Sequence, residues 1–209
     1  MTQEQELIYK ITEIQKEIKE KVHNRLKEFL KNQNKNNEVW FHELCFCILA
    51  ANTSSAMAGR VQSAVSAEEF LTLPKEKLRD KLHEQRTRFY NIRTEYIVLA
   101  RDHMPLKEKI IPLSKKERRE WIAENIKGIN FKEASHFLRN LGFLDYAILD
   151  KHVINILCEY GIIRQTKPVS QKRYLEIEKK LQKIADYLMI SQGELDFYLW
   201  YMKTGQVMK

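Results

Sequence analysis

Between residues 11 and 29 the apolar side chains Ile11, Ile14, Ile18, Val22, Leu26 and Phe29 recur at steps of three and four, separated by Lys, Glu and other polar residues. That period puts them on one stripe of a long α-helix, and such a helix must bury its stripe against other elements. No run of alternating apolar and polar residues is long enough to form a strand. The 209 residues include only six Gly and four Pro, too few for a sheet joined by tight hairpins. The expected fold class is therefore all-α: roughly nine to eleven helices in two lobes with a cleft between them. A chain of this length can bury a substantial core.

Local signals divide the chain further. The segment Lys31 to Glu38, KNQNKNNE, is polar and asparagine-rich and is expected to be a loop. Val39 to Ala51 is apolar nearly all round, as a central helix would be, and Thr53 or Ser54 is expected to start a short helix through Val65. Ser66 with Glu69, Ser114 with Glu117, and Ser191 with Glu194 each match the capping box, in which two side chains satisfy otherwise unpaired backbone donors. Pro74 and Pro105 punctuate helices expected around 74–83 and 88–103. Gly142 and Gly161 follow helical stretches, where a left-handed residue ends the helix at least cost.

Formal net charge is +8, from 36 Lys plus Arg against 28 Asp plus Glu. An excess of that sign suits a polyanion such as nucleic acid, although a lysine-rich surface that only aids solubility would look the same. The cysteines are Cys45, Cys47 and Cys158. The first two fall in the apolar run, where a helix would bury them as small hydrophobes. An odd count with no secretory leader fits a reducing cytoplasm. Without a four-cysteine cluster, neither a structural zinc nor an iron–sulfur cluster is expected, and no metal or other cofactor is assigned. The first ten residues, MTQEQELIYK, lack the apolar core of a signal peptide. The longest apolar run is too short to cross a bilayer, so a soluble protein of the cytoplasm with no membrane contact is expected; a monomer is the expected oligomeric state.

The most informative stretch is Trp121 to Tyr160, WIAENIKGINFKEASHFLRNLGFLDYAILDKHVINILCEY. It reads as helix, tight turn, helix, loop, helix. In the turn Ile126 to Phe131, Gly128 can take positive φ, and Asn130 is of the next most tolerant residue type. Ile126 and Ile129 would anchor the turn to the core, and Ala134 would let the second helix approach the first closely.

This segment, about residues 118–142, resembles the helix-hairpin-helix element of DNA glycosylases, whose hairpin amides grip a DNA phosphate, as backbone donors at a helix N-terminus can. The usual pattern has a second glycine where this chain has Asn130. Lys132, on the second helix, and Asp150, eighteen residues later, resemble the lysine and aspartate pair of bifunctional glycosylases. Leu149-Asp150-Lys151-His152 resembles the family's Asp-x-His signature. Similarity to the compact archaeal and bacterial second type of 8-oxoguanine DNA glycosylase extends over ILAANTSSAMAGR (48–60), RFYNIRTEYIVLAR (88–101), KEASHFLRNLG (132–142) and YMKTGQVMK (201–209). The resemblance implies a two-lobed helix-hairpin-helix glycosylase fold with its active site in the inter-lobe cleft, and residues 1–209 as one glycosylase unit. It further implies base excision repair: 8-oxoguanine is flipped out of duplex DNA and excised, and the strand is cut by β-elimination from a lysine Schiff base.

That chemistry asks for these residue types. Breaking an N-glycosidic bond builds positive charge on the sugar, which a carboxylate such as Asp150 would offset. A neutral amine can capture the anomeric carbon and promote β-elimination. A free lysine is roughly 0.1% or less neutral at pH 7, so a nucleophilic Lys132 needs surroundings that favour the uncharged amine. From residue type alone, a lysine opening a helix is a phosphate contact and an aspartate there is an N-cap. The resemblance makes Trp200 a wall of the base pocket, although on an amphipathic helix with Phe197 it also reads as core. Phe89 is the second candidate to hold the base. Lys209, otherwise a frayed tail, is implied to distinguish 8-oxoguanine from guanine. Gly128, Asn130, His152 and Asn52 are the implied DNA contacts, with His152 at a phosphate and Asn52 at the gap left by the flipped nucleotide or at the opposite strand. A noncatalytic helix-hairpin-helix DNA-binding module and a glycosylase for a different damaged base stay open as alternatives.

Overall fold

The stripe at the start of the chain folds as α1 (Gln3–Gln33), which buries Leu7, Ile11, Ile18, Val22, Leu26 and Phe29 and half-buries Ile14. The computed structural model describes residues 2–164 and 170–209. Among them are α2 (Asn37–Ala50), α3 (Ser55–Ala64), α4 (Ala67–Thr72), α5 (Lys75–Glu84), α6 (Tyr90–Ala100), a 3-10 turn (Arg101–His103), α7 (Leu106–Ile110) and α8 (Lys115–Asn125). There follow α9 (Phe131–Asn140), α10 (Lys151–Glu159), α11 (Gln171–Tyr187) and α12 (Gln192–Thr204). The described residues thus form twelve α-helices and no strand. The fold is all-α, as expected. The helix count exceeds the expected range because α4 and α7 are too short to display a period.

The chain divides into two compact units: residues up to Leu30 with Gly142–Met208, and Lys31–Leu141 with Lys209. In the second unit α2 is the hub, packed against α3, α4, α6, α7 and α9. Trp40, Phe41 and Leu44 to Leu49 are wholly buried, which explains why this helix is apolar on every side. The Asn-rich stretch before it is shorter than a loop from Lys31 to Glu38. Helix α1 continues to Gln33, and Asn36 caps α2 by accepting the Val39 amide. Ser54 caps α3.

In the first unit α12 packs on α10 and α11, and Phe29 stacks on Phe197 at 6.0 Å between ring centroids. The non-helical stretch before α10 is held by polar side chains of α11. Glu178 accepts the Ala147 amide at 3.0 Å. The Tyr174 hydroxyl donates to Ala147 O at 2.7 Å and accepts the Leu149 amide at 3.2 Å. These bonds satisfy buried backbone groups with no helical partner and fix the entry to α10, where Asp150 stands. Two of the three capping boxes form fully, at Ser66/Glu69 and Ser114/Glu117. At Ser191 only half forms, because Glu194 instead accepts the Tyr198 hydroxyl at 3.0 Å and faces His23 Nε2 at 3.3 Å. None of the described helices is long and apolar enough to cross a membrane.

Gly142 has φ +83°, and a Cβ there would stand 2.9 Å from Phe29 O and 3.0 Å from Leu30 Cα. Gly205 has φ +66° with open space around it. Gly142→Ala therefore meets both strain and backbone collision, whereas Gly205→Ala meets strain alone. The first should cost about 2–3 kcal/mol and lower the melting midpoint by roughly 5–10 °C; the second should cost about 1 kcal/mol. Thermal melts followed by circular dichroism check the order, which equal shifts would contradict.

Candidate active site

The turn between α8 and α9 brings the hairpin residues into register. Ile126 and Ile129 are buried as its anchors, and Ala134 is buried on α9, which packs against α8. Gly128 takes φ +83°, and a Cβ there would lie 2.3 Å from Cδ2 of the Tyr96 ring. Asn130 departs from the left-handed reading. It is extended (φ −111°, ψ −170°) and caps α9, its Oδ1 accepting the Lys132 amide at 2.9 Å and the Glu133 amide at 3.4 Å. Asparagine is among the best N-caps, so one left-handed residue, Gly128, suffices for the turn.

Lys132 lies in the first turn of α9. Its side chain is 27% exposed, and Nζ is 2.8 Å from Glu133 Oε1. Glu133 is 3% exposed, and its Oε2 is buried without a hydrogen-bond partner. One turn further on, His136 is buried edge-on to Phe46, with ring centroids 5.5 Å apart. Its Nε2 also lacks a partner. Burial first, then the cations Arg139, Lys132 and Lys209, hold this imidazole well below its ordinary range, so it is neutral.

Glu43 is a carboxylate in the middle of apolar α2, 6% exposed. Its Oε1 accepts Lys209 Nζ at 2.5 Å, and its Oε2 accepts Asn140 Nδ2 at 3.2 Å. Lys209 Nζ also donates to Gln62 Oε1 at 2.9 Å and lies 4.7 Å from the Phe46 ring centroid. Lys209 is thus held by its side chain.

Two turns of the same unit carry non-glycine residues at positive φ: Asn52 (+55°) in one, Arg86 (+52°) and Phe89 (+60°) in the other. Asn tolerates that region; a bulky Phe does not, and it stays there only where its surroundings hold it. Phe89 is 51% exposed, with the Arg88 guanidinium 4.7 Å from its ring centroid. Both turns are tied by Arg93, which is 4% exposed. Its guanidinium donates to Ile48 O and Ala51 O near the end of α2, and to Arg88 O at 2.9 Å. Burial pushes it down to about 10, opposed by the nearby Glu133 charge.

In the other unit Asp150 caps α10, its Oδ1 accepting the His152 amide at 2.9 Å and the Val153 amide at 2.8 Å. The His152 ring stands edge-on to Trp200 at 4.7 Å. Trp200 is half-buried, and its Nε1 is a buried donor without a partner; Phe197 and Tyr198 are the aromatics of α12 that fill the core. The residues singled out from sequence therefore fall into two sets: Asn52, Phe89, Gly128, Asn130, Lys132 and Lys209 in one unit, Asp150, His152 and Trp200 in the other. Glu43, Arg93, Glu133 and His136 escaped the sequence reading. Their one signal was period, since Arg93 shares a helical face with buried Ile97 and Ala100. Among the described residues no group of His, Cys, Asp or Glu side chains is placed to hold a metal ion.

Residues 22–190 match the 8-oxoguanine DNA glycosylase family. The chain belongs to that family. It is 46% identical over 206 residues to the 8-oxoguanine DNA glycosylase/AP lyase of Methanocaldococcus jannaschii, covering 97% of this chain and 99% of that one. The namesake enzyme of Thermoplasma volcanium is 43% identical over 90% of this chain and 91% of its own. The crystal structure of the M. jannaschii glycosylase superposes with TM-score 0.93 at 45% identity, covering 98% of this chain and 97% of that one. Its complex with a 15mer DNA containing 8-oxoguanine also gives 0.93 at 45% identity, over 97% and 99% of the two chains. A trapped endonuclease III–DNA covalent intermediate, at 15% identity and TM-score 0.63 over 99% of this chain and 91% of that one, shares the fold.

His136 gives this glycosylase a pH signature. In the unfolded chain a histidine titrates near 6.5, whereas the folded group resists protonation. Below about pH 6.5 the unfolded state binds the extra proton, so stability should fall with pH by up to about 1.4 kcal/mol per unit until the folded group titrates too. Denaturant melts at about pH 7.5 and 5.5 should show that loss, and His136→Gln should reduce it. An undiminished loss in the variant would place the pH dependence on other groups.

Proposed function

We propose that the whole chain works as a single bifunctional 8-oxoguanine DNA glycosylase and AP lyase of base excision repair, with Lys132 as nucleophile and Asp150 as its acidic partner. The observation that carries this reading is Lys132 itself, a part-buried amine in the first helical turn after Gly128, in a chain that belongs to the family over most of its length. Relatives named glycosylase/AP lyase need both an excision step and a strand-cleavage step, and a lysine nucleophile serves both. The damaged nucleotide leaves the stack and is held by flat surfaces, a task for Trp200 and Phe89. As the glycosidic bond breaks, the Asp150 carboxylate offsets the sugar's charge. Attack by the Lys132 amine then leads to a Schiff base and β-elimination.

The rest of the assigned residues serve binding and selection. Gly128 and Asn130 present the hairpin to a phosphate, His152 contacts a second, and Asn52 fills the gap left by the extruded nucleotide. Lys209, fixed by Glu43 and Gln62, reads the base. The +8 charge supplies non-specific affinity. The described free cysteines fit a reducing cytoplasm, and the enzyme is taken to act as a monomer. A noncatalytic DNA-binding module would have no use for a lysine nucleophile.

Borohydride trapping on duplex DNA with one 8-oxoguanine tests the nucleophile. Lys132→Gln should lose trapping and strand cleavage while still binding DNA, and undiminished trapping would exclude Lys132. A second test separates base reading from lyase chemistry. Removing Lys209 should slow 8-oxoguanine excision roughly ten- to hundredfold, the value of a hydrogen bond involving a charged group. Cleavage at a preformed abasic site, which has no base to read, should be largely retained. Equal losses in both reactions would show that Lys209 supports the site as a whole.

A further inference from the structure

We infer that Glu133 is the base that takes the proton from Lys132 and so makes its amine nucleophilic, an inference that rests on the assignment of Lys132 above. The contact is direct, 2.8 Å from Oε1 to Nζ. The carboxylate is buried, and its second oxygen has no hydrogen-bond partner. An acidic residue in a first helical turn ordinarily serves the helix dipole from the solvent side. That role requires neither burial nor an ion pair with the preceding residue. Nor does α9 lack a cap, since Asn130 already accepts the amides of Lys132 and Glu133. A buried carboxylate with one oxygen against the ammonium and the other without a partner is instead placed to receive the proton that the amine must lose.

The other titratable groups around the pair do not compete for this proton. Within this unit they are His136 and Arg139 on α9, Glu43 and Cys47 on α2, Arg93 on α6, and Lys209. Glu43 is engaged by Lys209 and Asn140. Burial makes His136 a poor proton acceptor and keeps Cys47 a thiol. Arginine does not act as a base at neutral pH. Among the described residues of this unit, Glu133 is the acidic group within hydrogen-bond distance of Lys132 Nζ.

The step balances without an outside reagent. The Lys132 ammonium gives one proton to the Glu133 carboxylate, leaving an amine and a carboxylic acid. The amine's lone pair forms the bond to C1′ while the C1′–N9 bond breaks and its electron pair departs with the base. The base anion needs one proton, and the one held by Glu133 supplies it. Asp150 has a separate task, since it meets the charge on the sugar rather than the charge on the amine.

The test is Glu133→Gln, assayed in single turnover from about pH 6 to 10 on 8-oxoguanine duplex and on a preformed abasic site. General base catalysis is worth about 10²–10⁴-fold. Both reactions should slow by about 10²-fold or more near neutrality and recover roughly tenfold per pH unit as solvent deprotonates the lysine. DNA binding should be unchanged. A wild-type pH profile, or a loss that is the same at every pH, overturns the inference. If Glu133→Gln does not fold, Glu133→Asp carries the test: its shorter arm withdraws the carboxylate, so a slower reaction with a steeper pH slope is expected, and an unchanged profile counts against the inference. The Lys132→Gln trapping assay keeps the two readings apart. Surviving trapping in that variant defeats the nucleophile assignment. Lost trapping there, with wild-type behaviour at Glu133→Gln, defeats the proton acceptor alone.

Discussion

A carboxylate inside an apolar helix governs how this unit assembles. Glu43 stands among side chains of α2 that are wholly buried, and an uncompensated charge in such a place costs several kcal/mol. The compensation comes from α9 through Asn140, from α3 through Gln62, and from Lys209. These segments are far apart in sequence, so only one arrangement of the chain brings all of them to α2. A hydrophobic residue at the same place would accept many packings. The gain from such a polar cluster lies in specificity of structure more than in net stability.

Elsewhere in the same unit the interior is left incompletely satisfied. Glu133 Oε2 and His136 Nε2 are buried without partners, and Asn52, Arg86 and Phe89 sit at positive φ. Natural folds break local rules of this kind where function requires it and offset the cost elsewhere. Here the offsets are identifiable: the capped start of α9, the aromatic packing of Phe46 and His136, and the carbonyls that receive Arg93.

Much of the fold was legible because helical period and capping are local properties. The stripe of α1, the caps at Ser54, Ser66 and Ser114, and the left-handed residues Gly128 and Gly142 all follow from short-range rules. Errors arose where a residue type serves two local purposes. The asparagines before α2 read as loop, yet one ends up as a cap. Asn130 read as a tolerant left-handed residue and is likewise a cap. Ser191 and Glu194 have the spacing of a box, but Tyr198 one turn along α12 and His23 of α1 claim the glutamate. Buried charges were harder still. Glu43 stands in an apolar run and Arg93 on the face of Ile97 and Ala100, but the partners that make their burial tolerable come from other segments and leave no local sign.

The Arg93 guanidinium has a mechanical corollary. One planar group receives carbonyls from the end of α2, just before Asn52, and from Arg88, just before Phe89. Shifting either turn alone would strand donors of a buried cation, at about 1–3 kcal/mol or more. The two turns therefore behave as a single rigid body with two projecting tips. Asn52 and Phe89, the exposed left-handed residues of those turns, are thereby held at one spacing by a side chain that neither of them touches in sequence.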